Sequence, residues 1–283
     1  MKNFTYISLI LIFALILSAC GGNTNNNAEE IPDYDTVSTA TPEQSENQTS
    51  DSNSNSQIGS DSDSDLNSEA NYESTPNSDI SRKIALTFDD GPSAYTDSIL
   101  DLFEYYGGLA TFFVVGPRLV THQDTLKRTF DLGHEIANHA WTHRDLRTIT
   151  EREIIEEIES TSNAIISIVG TSPPIFRPPF GASDERVEAI TAELGYAIVK
   201  WTLDPLDWRY RDADVIYDTI MSRVENGDIL LFHDTRPTTA EAMRRLIPSL
   251  IAEGFELVTV SELLYYLYGG PTAGVIYGWY TDL

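Results

Sequence analysis

The chain has 283 residues, a formal net charge of −26 and a sequence pI near 4.3, with a single cysteine. So acidic a chain lacks the basic surface that nucleic-acid binding requires. One cysteine excludes an intrachain disulfide and a structural metal site built from several cysteines.

The N-terminus has the pattern of a secretory signal. Lys2 precedes an apolar run from Ile7 to Leu17, so residues 1–19 are predicted to be a signal peptide. Residues 17–21, Leu-Ser-Ala-Cys-Gly, resemble the bacterial lipobox, in which the cysteine becomes the lipidated first residue of the mature protein. We therefore expect lipidation of Cys20 and an extracytoplasmic protein, lipid-anchored to the outer face of the bacterial cell membrane. The alternative is an ordinary signal peptide with an incidental cysteine.

Residues 20–79 are predicted to form the lipidated cysteine and a disordered acidic tether. From Gly22 to Asp79 polar residues dominate, with 13 acidic residues and no lysine or arginine. Such a segment cannot bury enough apolar surface to offset its chain entropy, and charge repulsion extends it. Residues 80–283 carry 17 basic and 31 acidic residues, a net charge of −14, and are long enough for one domain with a sizeable core.

Within residues 80–268, strand-like and helix-like segments alternate. Apolar Ile84, Leu86 and Phe88 alternate with their neighbours, which predicts a first strand with one buried face. Predicted strands are Ile84–Phe88, Ala110–Val115, Glu135–Asn138, Ile175–Arg177, Ala197–Trp201, Asp228–Phe232 and Glu256–Val258. Predicted helices are Tyr95–Tyr105, Gln123–Leu132, Glu151–Val169, Asp184–Leu194, Asp214–Val224, Thr239–Ala252 and Val260–Tyr268. Regular alternation predicts a parallel sheet, either a barrel or doubly wound, and leaves residues 269–283 as a C-terminal extension without an assigned role.

Polar side chains follow the predicted strands at their carboxyl ends, where α/β folds place their sites. They are Asp89 and Asp90 after the first strand, His139 and His143 after the third, Arg177 after the fourth, Asp204 and Asp207 after the fifth, and His233 and Asp234 after the sixth. The Asp-Asp-Gly-Pro segment alone would be ordinary turn chemistry. The recurrence of such residues at one edge of the sheet indicates an active site.

His139 and His143 have a spacing that suits one metal ion, with both imidazoles expected on one face of a helical turn. With the carboxylate available at Asp90, two nitrogens and one oxygen would leave a coordination position open for water, which is typical of catalytic sites. These ligand types suit one divalent metal, Zn²⁺, with Co²⁺, Ni²⁺ or Mn²⁺ as alternatives. For the histidine pair alone, two surface histidines without a metal would be the alternative.

Five segments, in this order and spacing, resemble the motifs of the polysaccharide deacetylases (carbohydrate esterase family 4, the NodB-homology domain). They are Thr87–Pro92, His139–His143, Arg177–Gly181, Asp204–Trp208 and Leu231–Asp234. The resemblance covers residues 80–268. It implies an α/β fold, a distorted (β/α) barrel with seven or eight parallel strands. It also implies metal-dependent removal of acetyl groups from N-acetylated or O-acetylated sugars.

The resemblance implies a role for the residues around the metal. Asp90, His139 and His143 would be the metal ligands. Asp89 would be the general base. Arg177 would pair with Asp89, orient it and keep it ionised.

It also implies an acid and a substrate pocket. His233 would be the general acid, with its ring oriented and its pKa raised by Asp207. The backbone N–H of Phe180 would stabilise the oxyanion. Trp208 would form a wall of the site, and Leu231 would line the acetyl pocket.

Two positions depart from the commonest family pattern. Ala140 stands where serine or threonine usually follows the first metal histidine, so a loop hydrogen bond is absent. Phe180 replaces a frequent tyrosine but keeps the backbone N–H. Trp141 and Trp201 could stack on sugar rings or serve packing, and His134 matches no motif and is predicted to be structural.

The leading hypothesis is a hydrolase that removes acetyl groups from N-acetylated sugars, with N-acetylglucosamine of peptidoglycan as the substrate. The alternatives are an acetyl-xylan esterase or a chitin or chitooligosaccharide deacetylase that acts on exogenous glycan, and a non-catalytic glycan-binding domain. We expect an acetylated polysaccharide as the only macromolecular partner, no nucleic acid, a monomer, and membrane contact only through the N-terminal lipid.

Overall fold

The computed structural model describes residues 82–278, so the predicted signal peptide, lipidated Cys20 and acidic tether lie outside the described residues. The strands are β1 (Arg82–Asp89), β2 (Thr111–Val114), β3 (Glu135–Asn138), β4 (Ile175–Phe176), β5 (Ala197–Val199), β6 (Ile229–His233), β7 (Phe255–Leu257) and β8 (Ile276–Tyr277). The helices are α1 (Thr96–Tyr106), α2 (Gly116–Thr121), α3 (Gln123–Asp131), α4 (Glu151–Val169), α5 (Glu185–Glu193), α6 (Ala213–Met221), α7 (Pro237–Ala252) and α8 (Val260–Tyr268), with short 3₁₀ helices at Leu146–Thr148 and Pro179–Gly181.

The sheet is parallel and curls on itself. Its strand order is β6-β1-β2-β3-β4-β5-β8, and β7 pairs with the first residues of β1. Leu203, which follows β5, forms a parallel bridge with Leu230 of β6, and the Leu231 N–H donates to the Leu203 carbonyl at 3.0 Å. Because β6 thereby meets both β1 and the chain after β5, the sheet forms a distorted (β/α) barrel. The predicted fold class is confirmed.

Both faces of β1 are buried, whereas the alternation of apolar residues in its sequence predicted only one buried face. Ile84, Leu86 and Phe88 pack into the larger core cluster on one face, while Ala85 joins a second cluster on the other. Thr87 is also fully buried, and its hydroxyl donates to the Leu230 carbonyl at 2.7 Å. A parallel strand in a barrel has helices on one face and the barrel interior on the other, so the small and polar residues of β1 face inward.

Helix α8 lies against the amino ends of the strands. The Val260 N–H donates to the Thr111 hydroxyl at 2.8 Å, and the Ser261 N–H donates to the half-buried carboxylate of Glu135 at the start of β3 at 3.2 Å. Leu263 and Leu264 pack into the same core cluster as the inward-facing residues of the strands. Because α8 covers the amino ends of β2 and β3, the carboxyl ends of the strands are left for a site.

Two elements were not predicted. Helix α2 has only six residues and begins with Gly-Pro, so it shows no amphipathic period. Strand β8 has two residues and pairs with Ile198 and Val199 of β5, which makes part of the predicted C-terminal extension an eighth strand. Strand β5 ends at Val199 rather than at the predicted Trp201. Within residues 82–278, no helix is both long and apolar enough to cross a membrane.

Candidate active site

The predicted metal ligands converge. Each of three residues, Asp90, His139 and His143, offers one ligand atom. These three atoms all lie within 4.8 Å of one another. Asp90 Oδ1 is 3.2 Å from His143 Nε2 and 3.6 Å from His139 Nε2. The backbone of Asp90 is left-handed, with φ 72°. The chain therefore turns at this residue, and Asp90 does not continue the extended strand that ends with Asp89.

These three residues fit a divalent metal ion. Asp90 Oδ1 is buried and has no hydrogen-bond partner among the described residues, so a cation would satisfy it. Burial lowers the pKa of His139 to about 3, which keeps its imidazole neutral and a nitrogen lone pair free for a metal. Its other nitrogen, Nδ1, lies 2.7 Å from the Arg177 carbonyl, and that contact fixes the ring orientation.

The segment from His139 to His143 is a loop, and the predicted helical turn is wrong. No residue of the segment is helical, and both Ala140 (φ 65°) and His143 (φ 58°) are left-handed. The Ala140 N–H donates to the Asn138 side-chain oxygen at 2.8 Å, which turns the chain away from a helical path. The two imidazoles meet, with ring centroids 5.0 Å apart, because the loop folds back and not because of helical periodicity.

Asp89 and Arg177 form a buried pair. Arg177 Nη1 donates to Asp89 Oδ1 at 2.6 Å and to the Thr87 hydroxyl at 2.8 Å. The guanidinium also donates to the carbonyls of Val199 and Lys200, so it is fixed by neighbouring strands. Burial raises the pKa of Asp89 above its ordinary value, and the charge of Arg177 opposes this rise without cancelling it. The contact expected from the sequence is present, but burial outweighs the arginine, and a raised pKa makes the carboxylate a better proton acceptor.

Asp207 holds His233 at two points. Its Oδ1 lies 2.7 Å from His233 Nδ1, and its Oδ2 accepts the His233 backbone N–H at 2.7 Å and the Thr239 hydroxyl at 2.6 Å. Burial alone lowers the pKa of His233. The carboxylates, Asp207 foremost, outweigh burial and raise it to about 10, as the sequence predicted in direction. The imidazole is therefore a protonated group that can give up a proton.

The remaining predicted residues are placed as follows. Phe180 has a left-handed backbone (φ 61°), a side chain 66% exposed and a ring edge against His143 at 4.6 Å between centroids. Such a conformation is unusual for a bulky residue and is characteristic of functional sites. Trp208 is 45% exposed, whereas Leu231 is buried in β6 beside Thr87.

Two tryptophans and one histidine have packing roles. A Cβ on Gly116 would lie 2.1 Å from the Trp141 ring, and one on Gly181 would lie 2.7 Å from the Trp201 ring. Both indoles therefore cover glycine backbone. Burial lowers the pKa of His134 to about 4, and its Nδ1 accepts the Ala110 N–H at 3.1 Å. His134 is structural, as the sequence predicted.

The fold and the site define a class of protein: a distorted (β/α) barrel with an Asp–His–His ligand set, an Asp–Arg pair and an Asp–His pair at the carboxyl ends of its strands. The family model for polysaccharide deacetylase matches residues 77–199. This chain belongs to the polysaccharide deacetylase family, carbohydrate esterase family 4.

Three relatives illustrate the family. The peptidoglycan-N-acetylglucosamine deacetylase of Listeria monocytogenes is 34% identical over 199 residues, which is 70% of this chain and 42% of that protein. The chitooligosaccharide deacetylase of Bradyrhizobium is 34% identical over 198 residues, 64% of this chain and 90% of that protein. A family 4 acetyl xylan esterase from Clostridium thermocellum, solved in complex with a cobalt ion, has a TM-score of 0.64 and 32% identity, covering 69% of this chain and 97% of that one. The chain thus spans about two fifths of the Listeria deacetylase and nearly all of the other two.

Proposed function

We propose that the protein is a metal-dependent hydrolase that removes acetyl groups from N-acetylated sugars, with N-acetylglucosamine of peptidoglycan as the substrate. The observation that carries the proposal is the convergence of an Asp–His–His ligand set, a carboxylate with a raised pKa and a protonated imidazole at one end of the barrel. The substrates in the names of the relatives, peptidoglycan N-acetylglucosamine and chitooligosaccharide, support a glycan substrate.

Asp89 is the proposed general base. Asp90, His139 and His143 would hold the metal, Zn²⁺ or another divalent ion that accepts nitrogen and oxygen ligands. A divalent ion, when bound, polarises the acetyl carbonyl and lowers the pKa of a water molecule. Asp89 would take a proton from the attacking water, with Arg177 fixing the carboxylate in place. Its raised pKa brings the carboxylate closer to the working pH, which favours the transfer.

His233 is the proposed general acid. An amine leaves poorly unless it is protonated, and the protonated His233 ring would give the sugar nitrogen its proton. Asp207 fixes the ring and stabilises its positive charge. The Phe180 N–H would donate to the oxyanion. Trp208 would border the sugar, and Leu231 would line the pocket for the acetyl methyl.

A second candidate is an esterase that removes O-acetyl groups from xylan. It is favoured by the likeness to the acetyl xylan esterase and by the chemistry, because an alkoxide leaving group needs less help from an acid than an amine does. A non-catalytic glycan-binding domain is disfavoured, because none of the predicted ligands or proton-transfer residues is missing.

Acetate release from a panel of glycans tests the proposal. We expect the purified protein to release acetate from peptidoglycan, to lose this activity with chelator, and to regain it with Zn²⁺ or Co²⁺. Elemental analysis should find about one divalent ion per chain. Faster release from acetyl-xylan would select the esterase. Full activity of protein verified to be metal-free would contradict the metal-dependent mechanism.

A further inference from the structure

The loop that carries His139 and His143 needs support from outside itself. Its residues Ala140 and His143 are left-handed, a conformation that persists in residues other than glycine only where the surroundings hold it. Ala140 has no polar side chain with which to hold the loop, so the contacts that hold it come from other residues.

Glu157 of α4 makes that contact. The side chain is only 5% exposed although it carries a carboxylate. Its Oε2 accepts the backbone N–H groups of Trp141 at 2.9 Å and Thr142 at 2.6 Å. Its Oε1 accepts the Thr142 hydroxyl at 2.6 Å and Arg144 Nη2 at 3.2 Å. One carboxylate thus fixes the two residues immediately before His143 and the one after it.

Helix α4 also holds the beginning of the loop. The Asn138 side-chain nitrogen donates to the Ile158 carbonyl and to the Ser162 hydroxyl, both at 2.7 Å. The oxygen of the same side chain accepts the Ala140 N–H. The helix is fixed at its own start by a complete capping box of Thr150 and Glu153. Both ends of the loop are therefore attached to one regular helix.

We propose that Glu157 is a positioning residue for the metal site. By accepting the two backbone N–H groups it holds the loop in the conformation that brings His139 and His143 together, and so it sets the affinity for the divalent ion. This inference rests on the metal site of the proposed function. Partners outside the ligand set, when removed, typically cost 10–100-fold in metal affinity.

Two conservative variants separate the geometry of Glu157 from its charge. Glu157→Gln keeps the length and one oxygen that can accept both N–H groups, but it loses the negative charge. Glu157→Asp keeps the charge, but it is one methylene too short to reach both N–H groups. Glu159→Gln and Glu159→Asp are the matched controls, because Glu159 is an exposed carboxylate on the same helix.

The measurement is the dissociation constant of Zn²⁺ and of Co²⁺ by calorimetry on metal-free protein, with the visible absorption spectrum of the Co²⁺ form as a second readout. Thermal unfolding in chelator establishes that each variant is folded. We expect Glu157→Asp to bind both ions about 10–100-fold more weakly, with an altered Co²⁺ spectrum. Glu157→Gln and both Glu159 variants should resemble the wild type.

The opposite pattern would overturn the proposal. If Glu157→Gln binds weakly and Glu157→Asp binds normally, the charge acts on the ion from a distance and the loop contact is unimportant. Equal affinity of all variants would reject any role of Glu157 in the metal site while leaving the proposed function intact. A wild-type protein that binds neither ion would instead reject the metal site itself, and the role of Glu157 with it.

Discussion

Gly91 and Asp234 lie in direct contact, so close that a Cβ on Gly91 would be 2.2 Å from an oxygen of the Asp234 carboxylate. Asp234 is fully buried, accepts the Thr96 hydroxyl at 2.5 Å, and burial raises its pKa to about 7. Because Gly91 directly follows Asp90, this packing fixes the turn that presents the carboxylate to the two histidines. The glycine is required by this close approach.

Gly91→Ala should therefore destabilise the protein by about 1–3 kcal/mol, the usual cost of overpacking, as measured by urea unfolding. Asp234→Ala opens space at the same point. In the double variant the two changes should couple, so that the added methyl costs less than it does in the wild type. Effects that add to within about 0.5 kcal/mol would show that the two residues do not constrain each other.

Asp207→Asn should shift the pH dependence of the rate. The proposed acid must be protonated, so activity falls as the pH rises towards the pKa of His233, which the carboxylates raise to about 10. Removing the Asp207 charge removes the foremost of these contributions, and the alkaline limb should move to lower pH. Profiles of kcat/KM for both proteins measure the shift. An unmoved alkaline limb would mean that this limb reports another group.

Variants of Asp89 and His233 should separate the base from the acid. Asp89→Asn should retain metal yet lose about 10²–10⁴-fold in rate on both an N-acetyl sugar and an activated acetate ester. His233→Ala should lose a similar factor on the amide but less on the activated ester, whose leaving group needs no proton. Kinetics on both substrates, with metal content as the control, decide this. Equal losses of His233→Ala on the two substrates would exclude leaving-group protonation as its role.

The N-terminal prediction concerns Cys20, which lies outside the described residues. The mature protein should partition into detergent and carry an acylated N-terminal cysteine, because two or more acyl chains hold a protein stably at a membrane. Cys20→Ala should release an active protein into the aqueous phase. Mass spectrometry of the N-terminal peptide is the measurement. An unmodified cysteine in membrane-derived protein would contradict the anchor.

The sequence by itself determined most of the helices and strands and the end of the sheet at which the candidate site residues lie. Helices α4 and α8 have the bounds that the sequence predicted, because each begins with a capping box and ends at a left-handed glycine, and these are local signals within a few residues. The candidate site residues were identifiable because parallel strands bring their carboxyl ends together whatever the details of packing.

The tertiary structure alone decided how these residues act on one another. The His139–His143 loop takes its conformation from Asn138 and from Glu157, and the latter contact crosses to a separate helix that no local spacing reveals. The two-residue strand β8 exists only because β5 offers it hydrogen bonds. Likewise, whether burial or Arg177 governs the pKa of Asp89 depends on how much protein surrounds the pair. Desolvation and long-range hydrogen bonds are properties of the packed barrel, so they follow from the fold and not from the order of residues along the chain.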